Sequence, residues 1–150
     1  METIYYEKKL DKLTISQKRF IDQSTVLFDI ETTGLSAKNS FIYLIGCIRI
    51  FESDTDHPCM KRTLFFGEGK SDEQNLLNAF LNYLSDIPDA SLLSFNGISF
   101  DIRYLKEKCN SLNIDCTLLD LPHTDLFKVL YRYRDLFGLP DRKQKRSSPI

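Results

Sequence analysis

Val26-Leu27-Phe28-Asp29-Ile30-Glu31-Thr32-Thr33-Gly34 is the stretch that decides the fold. Three apolar, β-prone residues lead into two carboxylates with one residue between them, and a Thr-Thr-Gly exit follows. Side chains alternate faces along a strand, so Asp29 and Glu31 project from the same side. Two acids held beside a hydrophobic strand repel each other and lose hydration. The arrangement is stable when a proton or a cation compensates the charge. A hard divalent ion is the natural compensator, because such ions prefer carboxylate oxygen. A D-x-E on an edge strand is ordinarily a solvated face, but the run before Asp29 is apolar enough for a central strand.

Composition sets the outer bounds. A chain of 150 residues fits one domain and can bury a core. Its 42% hydrophobic and 27% charged residues are those of a soluble globular protein. Twenty Lys and Arg against 21 Asp and Glu give a net charge of −1, so no global field draws in nucleic acid. Any phosphate-binding surface is then local, or supplied by bound metal. Cys47, Cys59, Cys109 and Cys116 form no C-x-x-C pair, and two histidines are too few to suggest a structural zinc site. Reduced thiols are expected, with Cys47 and Cys109 in the core. No signal peptide or stretch of transmembrane length is visible. The expectation is a cytoplasmic protein with no membrane partner.

Around the first strand, residues 1–24 read as a loosely packed lead-in with a short helix, and residues 25–31 as the strand itself. The β-branched run Phe41 to Phe51 predicts a second strand. Ser53 to Pro58 reads as a hairpin turn, and a third strand is expected from about Met60 to Phe66. These three form an antiparallel meander. Ser71 with Gln74 has the capping-box spacing, and Leu76, Leu77, Phe80, Leu81 and Leu84 make one apolar stripe at helical spacing. Ser91 to Phe95 reads as a fourth strand. A second helix follows Asp101, with Ile102, Leu105, Cys109 and Leu112 on one face. A strand, a crossover helix and a further strand make a parallel unit. Lys128 to Phe137 has a helical register. Residues 139–150 are basic, bury almost nothing and read as a disordered tail.

Asp101 begins a helix after a strand, where backbone N–H groups and the helix dipole favour an anion. Taken alone it is a helix cap, and Asn96 alone is a turn residue before Gly97. Together, Phe-Asp-Ile-Glu-Thr-Thr-Gly-Leu at 28–35 and Ser-Phe-Asn-Gly-Ile-Ser-Phe-Asp at 94–101 resemble the first two motifs of the DEDD exonucleases. That superfamily has the ribonuclease H-like fold. The chain is similar to bacterial ribonuclease H-like proteins described as predicted exonucleases, and to the exonuclease domain of B-family DNA polymerases. The likeness covers roughly residues 25–130, with an α/β domain, a mixed central sheet and flanking helices over 25–138.

The resemblance implies 3′→5′ exonucleolytic hydrolysis of single-stranded DNA or RNA with two Mg²⁺ or Mn²⁺ ions about 3.5–4 Å apart. It makes Asp29 the bridging ligand, Glu31 a ligand of the water-activating ion and Asp101 a ligand of the second. Thr32, Thr33 and Gly34 would place backbone beside the terminal nucleotide. Leu35 would touch its base, and Asn96 would orient the loop or contact substrate. The superfamily's fourth acid lies in a third motif, Y-x-x-x-D or H-x-x-x-x-x-D, on a late helix. Tyr131 and Asp135 give a nominal Y-x-x-x-D, too soon after the second motif and with no complete helix after it. The expectation is therefore a domain truncated at its C-terminus or a member without its last helix, with Asp125 or Asp135 as a less favoured fourth ligand. A lost helix could leave a face for self-association.

Two rivals stand beside the exonuclease. One is a catalytically degenerate nucleic-acid-binding or interaction module with the same fold. The other is a phosphatase of the haloacid dehalogenase type, whose D-x-D-x-T the stretch Asp29-Ile30-Glu31-Thr32-Thr33 faintly resembles; the Glu and the missing downstream Lys context speak against it. His123 is a base on reach alone and a loop residue otherwise. Arg132, Arg134, Arg142, Lys143, Lys145 and Arg146 are the one local concentration of positive charge, which could hold phosphates or simply be solvated.

Overall fold

The computed structural model describes residues 1–11, 21–51 and 57–133. Six strands form one sheet: β1 (Glu2–Lys9), β2 (Thr25–Thr32), β3 (Ile42–Phe51), β4 (Cys59–Phe66), β5 (Ser91–Ser94) and β6 (His123–Asp125). Their order is β1-β4-β3-β2-β5-β6, which puts β2 near the middle. β2 pairs antiparallel with β3 and β3 with β4, which is the predicted meander, while β5 runs parallel to both β2 and β6. The helices are α1 (Glu73–Ser85), α2 (Asp101–Ser111) and α3 (Leu126–Arg132).

Alternation along β2 is as the residues dictate. Val26, Phe28 and Ile30 are buried on one face, and Asp29 and Glu31 are exposed on the other. On the buried face, Phe80 of α1 sits with its ring centroid 5.9 Å from Phe28 and 6.4 Å from Phe65. Leu76, Leu77, Leu81 and Leu84 complete the stripe, all buried. Burial of each such side chain contributes about 1.5–3 kcal/mol. Ile102, Leu105 and Cys109 bring α2 into the same core, and Cys47 is buried there too. All four cysteines are free thiols.

Three expectations change. Residues 2–9 are no lead-in: they form β1, paired antiparallel with β4 from Glu2↔Phe66 to Lys9↔Cys59. Thr-Ile-Tyr-Tyr is β-prone, but an edge strand buries little, so its charge disguised it. Residues 12–20 of the expected lead-in, residues 53–56 of the 53–58 turn, and residues 134–150, including Asp135 and the tail, lie outside those described. The capping box does not form. A 3₁₀ turn over Lys70–Asp72 precedes α1, Asp72 takes the N-cap position, and no side chain caps the helix. Its carboxylate instead accepts from the Glu68 backbone N–H at 3.0 Å and the N-terminal ammonium at 3.2 Å. Finally, α3 starts at Leu126, two residues before the expected Lys128.

Candidate active site

β2 and β5 pair over Thr25↔Ser91, Val26↔Leu92 and Leu27↔Leu93. β5 then ends at Ser94 while β2 runs on to Thr32, and the chain turns through 95–100 to start α2 at Asp101. This departure at the carboxyl ends of parallel strands is where α/β sheets open a crevice. Asp101 sits in it, 5% exposed.

The acids feel one another. Partial burial raises the Asp29 carboxyl above its ordinary range, the Glu31 charge adds to this, and the Ile30 backbone N–H opposes both. Burial and then the Asp29 charge push Asp101 up to about 6, against the backbone N–H groups of Asp101 and Ile30. Asp125 raises it a little further. Asp29 and Asp101 are thus brought together from two elements, with Glu31 beside Asp29 on the strand. Among the described residues, no three His, Cys, Asp or Glu converge closely enough to form a ready cage for a metal ion. The donors that do meet are hard carboxylate oxygens with uncompensated charge, which suits a hard divalent cation.

The Thr-Thr-Gly exit is braced. Thr32 Oγ1 donates to the Gly34 carbonyl at 2.9 Å. The Thr33 hydroxyl accepts from the Phe41 N–H at 3.1 Å, and the Thr33 N–H donates to the Phe41 carbonyl at 3.0 Å. A Cβ on Gly34 would lie 2.7 Å from Ser40 Oγ and would press on the hydroxyl that donates to the Ser36 carbonyl at 2.8 Å. Leu35 stands at its tip, 87% exposed. Asn96 occupies the left-handed region with φ 63°, as a turn residue does, and its side chain belongs to an exposed residue. At Gly97 a Cβ would lie 2.4 Å from Ser94 Oγ and 2.9 Å from Asp101 Oδ2.

Asp125 does not join the acids' open face. It is 3% exposed, and its carboxylate accepts from the backbone N–H groups of Asn96 (2.7 Å), Phe127 (3.0 Å) and Ile98 (3.3 Å). His123 lies on the core side of the sheet, its ring 5.7 Å from Phe28 and its Nε2 2.7 Å from Ser94 Oγ. Burial lowers its pKa below the ordinary imidazole value, against the pull of the Asp125 charge. Sequence reasoning missed a groove of about 350 Å³ on the exposed sheet face, running from Asp29 past Gly46, Ile48 and Leu64 to Arg62, with Phe95 on its wall. The alternation that placed Asp29 carried half of that signal. The pairing Asp29↔Gly46, which leaves the space, needed the register.

The sequence matches the RNase_H superfamily over residues 26–143. The chain belongs to that superfamily. It is 30% identical over 125 residues to an uncharacterised protein, YprB, of Bacillus subtilis (strain 168), covering 83% of this chain and 28% of that one. Among solved structures, the metal-free complex of Escherichia coli exonuclease I with single-stranded DNA overlays at a TM-score of 0.55 and 14% identity, over 77% of this chain and 31% of that one. The family B DNA polymerase of the archaeon Pyrobaculum calidifontis overlays at 0.53 and 18% identity, over 79% and 18%. At these identities the overlays show a shared fold, the ribonuclease H-like mixed sheet flanked by helices. The chain spans less than a third of the length of each of these three proteins.

Proposed function

We propose that this RNase_H-superfamily domain is a metal-dependent 3′→5′ exonuclease acting on single-stranded nucleic acid. The observation that carries the reading is the meeting of Asp29 and Asp101, from β2 and the start of α2, close enough that the Asp29 charge acts on the buried Asp101 carboxyl. Asp29 and Asp101 are the residues that would hold a divalent cation, with Glu31 beside them. Bound there, Mg²⁺ or Mn²⁺ supplies charge stabilisation for an in-line displacement at phosphorus. The chain's own parts do the rest. The braced Thr32-Thr33-Gly34 backbone and the exposed Leu35 offer a rigid edge for the terminal nucleotide. Asn96 stands at the turn across the crevice. The groove beside Asp29 leaves open space for a strand next to the acids. The E. coli exonuclease I complex with single-stranded DNA, sharing the fold, supports the substrate class.

A non-catalytic nucleic-acid-binding module is the second reading, favoured by one observation. The carboxylate of Asp125 is engaged by three backbone N–H groups, which commits most of its acceptor capacity to the turn rather than to a fourth-ligand position. Digestion of 3′-labelled single-stranded DNA and RNA with Mn²⁺ separates the two. Stepwise shortening from the 3′ end that Asp29→Ala abolishes is the expected result. Strand binding without shortening selects the module, and shortening that survives Asp29→Ala removes the site assignment.

A further inference from the structure

The Asp125 carboxylate reaches across from the end of β6 to the turn that precedes α2, a sequence separation of 29 residues to Asn96 and 27 to Ile98. Oδ1 takes the Asn96 and Phe127 amides, and Oδ2 takes Ile98. One buried anion therefore ties together the left-handed residue of the turn, the residue two further on and the first turn of α3. The turn has no slack of its own. Asn96 is held at φ 63°, Gly97 is packed against Ser94 and the Asp101 carboxylate, and the Ile102 N–H closes onto the Gly97 carbonyl at 2.9 Å. Asp101 follows within four residues of this clamp.

We infer that Asp125 is a positioning residue for the cation site: by fixing the Asn96–Ile98 backbone it sets where the Asp101 carboxylate stands opposite Asp29. This rests on the proposed cation-dependent function and gives Asp125 a part other than ligand. A side chain that accepts three backbone N–H bonds has its lone pairs aimed at the turn, and its effect on a bound ion passes through Asp101. Charged acceptors make the stronger hydrogen bonds, so an amide in its place holds the turn more weakly. Asn also presents a single acceptor oxygen where Asp presents two.

The test has two arms on the full chain. In metal-free protein, amide hydrogen exchange by NMR should be at least tenfold faster at Asn96, Ile98 and Phe127 in Asp125→Asn than in wild type. In calorimetric Mn²⁺ titrations the same variant should bind at least tenfold more weakly with unchanged stoichiometry, and excess Mn²⁺ should restore kcat. Asp125→Glu, which keeps the charge and both oxygens, should fall between and covers the case in which Asp125→Asn does not fold. Leu84→Ala, in the core stripe of α1, should lower Tm while leaving Mn²⁺ affinity alone. Wild-type Mn²⁺ affinity in a variant whose turn amides have lost protection overturns the inference. So does weakened binding with those amides still protected, which would make Asp125 a direct ligand. Wild-type protein that takes up no Mn²⁺ fails the underlying cation reading, while the exchange arm still decides whether Asp125 holds the turn.

Discussion

Asp101 stands close enough to Asp29 that the charge on Asp29, added to burial, lifts the Asp101 carboxyl to about 6. In an unfolded chain the same group titrates near 3.9. Between about pH 4 and 6 the folded protein therefore holds a proton that the unfolded chain has lost, and the native state binds more protons. Stability of the metal-free protein is highest, from this group, below about pH 4. It is lost as pH rises through 6 and stays flat beyond. Asp29 is shifted in the same direction. After allowance for solvent screening the change is about 1–2 kcal/mol. Urea denaturation in EDTA from pH 4.5 to 7.5 checks it. Asp101→Asn should flatten the profile and be more stable than wild type at pH 7.

Lys108 and Glu73 form an ion pair across α2 and α1, Nζ to Oε2 at 3.2 Å, with side chains 7% and 4% exposed. Glu73 Oε1 also accepts from the Ile42 N–H at 2.9 Å, which fastens β3 to α1. Removing one member of a buried pair strands the other, at about 3–5 kcal/mol. Lys108→Met should lose that much in urea denaturation. Added salt should change wild-type stability little on account of this pair, since buried charges are weakly screened.

Neither residue could be singled out in the sequence, because Glu73 and Lys108 are 35 residues apart and each reads as a solvated helix charge. The same physics divides the rest of the molecule. Patterns with a local period were legible: the alternation that buries Val26, Phe28 and Ile30 and exposes Asp29 and Glu31, and the helical stripe from Leu76 to Leu84. The strand-turn-helix context of Asp101 was legible because the turn chemistry of Asn96-Gly97 is local too. β1 was not, since an edge strand advertises no buried face and its Glu and Lys residues look like a solvated segment. The expected cap at Ser71 did not form because a 3₁₀ turn over Lys70–Asp72 precedes the helix and puts Asp72 at the N-cap position. Asp125's hydrogen bonds close only in three dimensions.

Phe80 is the ring on which two strands of the meander rest, in contact with Phe28 of β2 and Phe65 of β4 and fully buried. Phe80→Ala opens a cavity between α1 and the sheet directly behind Asp29. Such truncations cost about 3–5 kcal/mol. A fall of that size in the free energy of urea denaturation, with the denaturant slope retained, is the expected outcome. A loss below about 1 kcal/mol would mean that the α1 face is not packed as described.

Gly97 gives the sharpest steric prediction. An added methyl meets Ser94 Oγ at 2.4 Å, Ser94 Cβ at 2.6 Å and Asp101 Oδ2 at 2.9 Å, all closer than real contacts allow. Overpacking of this kind costs about 1–3 kcal/mol. The backbone must shift to relieve it, and the Asp101 carboxylate is one of the groups it presses on. Gly97→Ala should therefore lower Tm and also shrink any Mn²⁺-induced rise in Tm, which reports preferential binding to the folded state. Adding Ser94→Ala removes only the hydroxyl contact and deprives His123 Nε2 of its partner. The double variant should stay below wild type in both readouts. Full recovery of the Mn²⁺ response in the double variant would show that the strain was taken up at Ser94 and never reached Asp101.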